Sequence, residues 1–169
     1  VIGYSELMRW GGIGCIPFYL DRIDRHFENQ TWLHDRDDFG GKRPSEVFRD
    51  HILACFITDP SGLALRDRIG VDILAWECDY PHTDTTWPES PEFTWAELQE
   101  AGCADDEIHK ITWENACRFF DWDPFAHTAR EDATVGALRA RASAAGVDTT
   151  RRPRSEWRER NEAAGLVPS

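Results

Sequence analysis

Two short runs decide the fold, Ile52-Leu53-Ala54-Cys55-Phe56-Ile57 and Val71-Asp72-Ile73-Leu74-Ala75-Trp76. Both are apolar nearly throughout, and each is soon stopped by proline, at Asp59-Pro60 and at Glu77-Cys78-Asp79-Tyr80-Pro81. Such runs read as strands buried on both faces, the pattern of a parallel sheet. Between them, Leu63, Leu65 and Ile69, with the charges of Arg66-Asp67-Arg68, predict one amphipathic helix near Gly62 to Ile69, closed by Gly70. The whole is a βαβ unit, with adjacent parallel strands and a right-handed crossover.

Working outward, Pro17 opens a helical pattern. Ile16, Tyr19, Leu20, Ile23 and Phe27 recur at spacings of three and four, which places them on one face. Pro44-Ser45-Glu46 reads as a second helix start, with proline in the first turn and an acid at the positive end of the dipole. The run His34 to Asp38 between them reads as a solvated charged loop, without the ligand spacing or closing Glu of a calcium loop. Downstream, Pro91 to Ala101 and Asp105 to Phe120 read as helices separated by Gly102. In the second, Ile108, Ile111, Ala116 and Phe119 mark the expected buried stripe.

From Ala129 the composition shifts toward Ala, Arg and Glu. Residues 1–128 carry 11 basic and 25 acidic side chains, net −14, whereas residues 129–169 carry 8 and 6, net +2. The expected division is therefore a body at 1–128, followed at 129–169 by a surface helix and an extended tail that breaks at Gly146 to Pro153.

The 169 residues, 41% hydrophobic with 8 Trp and 9 Phe, provide for a sizeable core. A net charge of −12 argues against a nucleic-acid binder, whose affinity comes from Lys and Arg on phosphates, and against a basic membrane-surface protein. The apolar runs fall far short of the roughly 20 residues that span a bilayer. No signal-peptide pattern is visible, and a cytoplasmic location is expected. Five cysteines, an odd count without CxxC spacing, read as buried reduced thiols and not as a zinc cage.

The chemistry concentrates in Trp76-Glu77-Cys78-Asp79-Tyr80-Pro81-His82-Thr83-Asp84. This lies at the C-terminal end of a buried strand, where parallel α/β folds place ligands and catalytic groups. Asp79 can bind a divalent metal or take a proton from metal-bound water; it can equally cap the turn before Pro81. His82 can position a substrate or bond a backbone carbonyl. Strand alternation puts Glu77 on the same face as Asp79.

"WECDYPHTDTTWP" resembles the last-strand motif of the amidohydrolase-related proteins, TIM-barrel metal-dependent hydrolases and decarboxylases that include aminocarboxymuconate semialdehyde decarboxylase. "PSEVFRDHILACFITDPSGLALRDRIGVDIL" before it, "ITWENACRFF" after it and "GGIGCIPFYLDRIDR" upstream are similar to the same family, in the same order, so the likeness runs from about Gly11 to Phe125. The resemblance implies an α/β fold, the C-terminal portion of a (β/α)8 barrel from about strand six to strand eight, followed by C-terminal helices. Ile52–Ile57 becomes strand seven and Val71–Trp76 strand eight. It also implies a divalent metal, zinc above others, a small-molecule carboxylate or amide-type substrate, and hydrolysis or decarboxylation. Asp79 matches the strand-eight Asp that faces the metal and serves in proton transfer, His82 the His near the substrate mouth, and Asn115 an Asn of structural role.

The departures are equally specific. The strand-one His-x-His or Glu-x-His pair and the strand-five His would precede Val1. At strand six the chain has Arg9-Trp10, while a Tyr4-Ser5-Glu6 stands four residues earlier, which makes Glu6 a weak second metal candidate. A barrel needs about 250 residues, and two or three parallel strands leave open edges. A fragment is therefore expected, unstable or self-associating when alone. The competing expectation is a truncated, non-catalytic homologue that keeps only the last third of a barrel.

Overall fold

The structure is a computed structural model that describes residues 12–33, 39–148, 150 and 154–165. Its centre is a parallel pair, β1 (Ala54–Phe56) and β2 (Leu74–Trp76), in the register Ala54↔Leu74, Cys55↔Ala75 and Phe56↔Trp76. The two runs are thus adjacent and parallel, as their composition implies. Both are shorter than the apolar runs predict. Val71–Ile73 is a 3-10 turn, not strand. Gly70 at φ +115° turns the chain, and the carbonyls that a longer strand would spend on a ladder go elsewhere. Asn115 Nδ2 donates to Val71 O at 2.7 Å and to Leu74 O at 2.8 Å, and Arg118 donates to Asp72 O at 2.5 Å.

The crossover holds two short helices instead of one, α3 (Pro60–Leu63) and α4 (Arg66–Ile69). Arg66 reaches across the break to Leu63 O and on to Ala101 O and Gly102 O, while pairing with Glu107 at 3.1 Å. Arg49, from α2 (Pro44–His51), covers the end of α4 by donating to Arg68 O and Ile69 O. Backbone carbonyls at helix ends need such donors when water is excluded.

Helix α1 (Ile16–Asn29) precedes α2, and Asp24 joins them by accepting from Ser45 N at 2.9 Å and Ser45 Oγ at 2.7 Å. Glu46 closes the first turn of α2, its Oε2 accepting from Arg43 N at 2.7 Å. Of the α1 stripe, Ile16 and Leu20 are buried, but Tyr19 is 56% and Ile23 45% exposed, because the core covers a narrower strip than the apolar spacing spans.

One core cluster lies on one face of the sheet. Ala54, Phe56 and Leu74 meet Ile13, Ile16 and Leu20 from the α1 side, Leu63 and Ile69 from the crossover, and Leu98, Ile108 and Ile111 from the later helices. Each of the Leu, Ile and Phe side chains taken fully out of water contributes about 1.5–3 kcal/mol. Leu53 and Ala75 are buried but stand outside this cluster, which fits the alternation of a strand.

After β2 come α5 (Ser90–Glu100) and one continuous run made of α6 (Asp105–His109), a π-helical turn (Lys110–Glu114) and α7 (Asn115–Phe119). The π turn holds more residues than an α turn and shifts the helical phase. Asn115 is therefore wholly buried, whereas Ala116 is half-buried and Phe119 exposed, against the expected stripe. Beyond, α8 (Val135–Ala144) lies on the surface, held by the Arg139 guanidinium forked on Glu92; that contact holds the Glu92 carboxyl at about 2. Residues Arg154–Ala163 form α9, a helix in place of the extended tail that the composition suggests. Among the cysteines, Cys103 is buried, Cys55, Cys78 and Cys117 are half-buried and Cys15 is exposed; all five are free thiols. The expected burial thus fails at Cys15, which stands just ahead of α1 on the outside.

Candidate functional site at the strand ends

The parallel ladder runs one residue past β2, with Glu77 N donating to Phe56 O at 2.9 Å. Two residues on, Asp79 takes φ +51°, a left-handed conformation. Asp tolerates it better than most residues, yet it still costs about 1 kcal/mol or more. That conformation ends the alternation, so the shared face expected for Glu77 and Asp79 does not extend to Asp79. It opens a turn in which His82 N donates to Asp79 O at 2.9 Å.

The same turn brings the two side chains together. Asp79 Oδ2 accepts from His82 Nδ1 at 2.8 Å, with the carboxylate 17% exposed and the imidazole 61%. His82 therefore bonds a carboxylate, and Asp79 serves the turn through its backbone oxygen as well as presenting its carboxylate at the strand end. The loop beyond is braced. Thr85 Oγ1 donates to Cys78 O at 2.7 Å, Thr86 Oγ1 to Ser90 Oγ at 2.9 Å, and Trp87 N to Thr85 Oγ1 at 3.2 Å. Tyr80 and Trp87 pack edge to face, centroids 5.6 Å apart.

A second carboxylate stands at the same end, one that the sequence pattern does not single out. Asp59 lies three residues after Phe56, as Asp79 lies three after its partner Trp76. Its Oδ2 accepts from Ile13 N at 2.6 Å and Gly14 N at 2.9 Å, and its Oδ1 from Gly62 N at 2.8 Å. A Cβ on Gly12 would fall 2.5 Å from Asp59 Oδ2, and one on Gly62 equally close, so this carboxylate accounts for two glycines around it. The signal that could have found it is Asp59-Pro60-Ser61-Gly62, an N-cap acid before a first-turn proline, which reads equally well as a bare strand stop. Glu97, on α5, approaches the Asp59 backbone N–H; burial pushes its carboxyl up, and Oε2 is buried without a hydrogen-bond partner.

Of the residues singled out in the sequence, Asp79 and His82 are brought together. Asn115 is a buried bracket between the terminal helix and β2, as its motif implies. Glu6 lies outside the described residues. No group of three His, Cys, Asp or Glu side chains that could hold a metal occurs among the described residues. Asp79 and His82 offer two donors, whereas a catalytic zinc uses three protein ligands and water.

The chain is thus a parallel α/β unit with a carboxylate–imidazole pair beyond the C-terminal end of β2, the end at which open parallel α/β sheets bind their ligands. The family described as Amidohydrolase matches residues 26–122, more than half of the chain, and the chain belongs to that family. Among solved structures it is similar to the crystal structure of 5-carboxyvanillate decarboxylase LigW from Sphingomonas paucimobilis. The TM-score is 0.49 and the identity 24%, over 66% of this chain and 33% of that one. The chain thus spans about a third of the length of that enzyme. No curated protein matches it.

Proposed function

We propose that this chain supplies the last third of an amidohydrolase-type barrel, about strands six to eight, and that Asp79 and His82 serve a metal-dependent hydrolysis or decarboxylation of a small carboxylate or amide-type substrate. The supporting observation is the Asp79–His82 pair, its carboxylate mostly withdrawn from water at the C-terminal end of a parallel strand. Family membership supports the reaction class. A divalent ion, zinc by analogy with the family, would polarise the substrate or activate water; the described donors do not complete its cage.

The chemistry open to the residues themselves is that of acids and bases. A carboxylate with one oxygen held by an imidazole N–H keeps lone pairs to take a proton, and His82 orients it. The test is turnover of a panel of small carboxylates and amides by the protein in the presence of zinc, beside Asp79→Asn. A loss of about a hundredfold or more is expected, since a general base contributes 10²–10⁴-fold. Undiminished turnover in Asp79→Asn removes Asp79 from the chemistry. His82→Ala is expected to act less on rate than on substrate binding. The alternative, a non-catalytic homologue that keeps only the last third of the barrel, is supported by no turnover across the panel.

A further inference from the structure

We propose that Asp59 is the positioning residue of the strand-end site, fixing the backbone of Ile13 and Gly14 against the end of β1 and so setting the rim of the sheet's C-terminal end. The inference rests on the reading that this end of the sheet is the working end. Three features carry it.

The Asp59 carboxylate spends both oxygens on backbone N–H groups from two separate segments, Ile13 and Gly14 ahead of α1 and Gly62 in α3, all within 2.9 Å. Hydrogen bonds to a charged acceptor are the strong ones, and three on one side chain fix it in direction as well as distance. The space around it is closed. Gly12, at φ +68°, would bring a Cβ to 2.5 Å from Oδ2, and a Cβ on Gly62 would meet both Asp59 and Ile13 Cγ1. The main chain has therefore been brought up to this side chain as closely as glycine permits. Finally, the register Phe56↔Trp76 puts Asp59 and Asp79 at matching positions beyond paired strand residues. Both carboxylates therefore follow the C-terminal ends of paired strands, Asp59 after β1 and Asp79 after β2. Asp59 acts through main-chain amides and has no need to touch a substrate.

The test is residue-resolved amide hydrogen exchange on the full chain, beside Asp59→Asn. The amide side chain keeps the shape but turns an NH2 toward at least one backbone donor. Exchange at Ile13, Gly14 and Gly62 is expected to rise about tenfold or more, in line with the loss of a charge-assisted hydrogen bond. Ile108, whose N–H bonds Ala104 O in a distant helix, is expected to stay within about twofold. Gly12→Ala, which pushes against Oδ2, is expected to give the same local signature. Gly14→Ala, whose Cβ meets nothing closer than 3.4 Å, is expected to leave it unchanged. Unaltered exchange at the three amides overturns the proposal. Equal acceleration at Ile108, or an Asp59→Asn chain that no longer folds, also overturns it, since a residue that positions the rim must leave the core standing. The readout requires no turnover, so an inactive chain bears on the proposed function and not on Asp59.

Discussion

Glu97 shows most directly what burial does to a single group here. One of its oxygens is out of water without a partner, the neighbouring Asp59 and Glu100 carboxylates add repulsion, and only the Asp59 N–H favours the charged form. Burial dominates, so the folded state binds the Glu97 proton more tightly than the unfolded chain does. That contribution to stability is fully present below the ordinary carboxylate value. It fades as pH rises through the raised, folded value, and at neutral pH the site costs the fold. Glu97→Gln keeps the carbonyl that faces Asp59 N and removes the charge. The variant is expected to unfold at higher urea than the parent at pH 7, and to lose that advantage near pH 4. A variant less stable than the parent at pH 7 would show that Glu97 is ionised and favourably held.

At the scale of elements, the joint between the terminal helix and β2 depends on Asn115. It is wholly buried, donates to two main-chain carbonyls and accepts from Arg118 through Oδ1 at 2.9 Å. Asn115→Ala strands Val71 O and Leu74 O in a dry interior and leaves a small void. At about 1–3 kcal/mol for each unmet buried group, a loss of about 2–6 kcal/mol in urea unfolding is expected; a loss below about 1 kcal/mol would mean that water or Arg118 takes over both carbonyls. The same joint marks the limit of what is legible in the sequence. Continuous apolar runs at 52–57 and 71–76 announce two parallel strands, because burial on both faces writes itself into composition. The length of those strands is not legible, since it depends on where Asn115 and Arg118, some 40 residues away, take the carbonyls of residues 71, 72 and 74. The buried stripe of the last helix is misphased from Ala116 onward because a π turn leaves no mark in hydrophobic spacing. At the site, Asp79 and His82 stand out through their place after a strand. Asp59 does not, because its partners are backbone amides, which no residue type announces.

For the molecule as a whole, the question is whether the chain closes a metal centre by its own means. Its described residues place one carboxylate and one imidazole together at the strand ends, and three backbone amides already engage both oxygens of the other carboxylate there, Asp59. His26, His51 and His109 lie on α1, α2 and α6 and His127 in the loop after α7, and no group of three potential metal donors occurs among the described residues. The acidic body, net −14 over residues 1–128, can gather divalent ions, but diffuse attraction is screened by salt and has no stoichiometry. Zinc titrated into the chain by calorimetry at about 0.15 M salt is therefore expected to give weak, unsaturated heats that shrink as salt rises. Asp79→Ala is expected to change them little. A single tight site, with one zinc per chain and lost in Asp79→Ala, would mean that a third donor joins Asp79 and His82 from outside the described residues. Glu6, His34, Asp35, Asp37 and Asp38 are candidates there, and alanine substitution of each would then identify which one completes the cage.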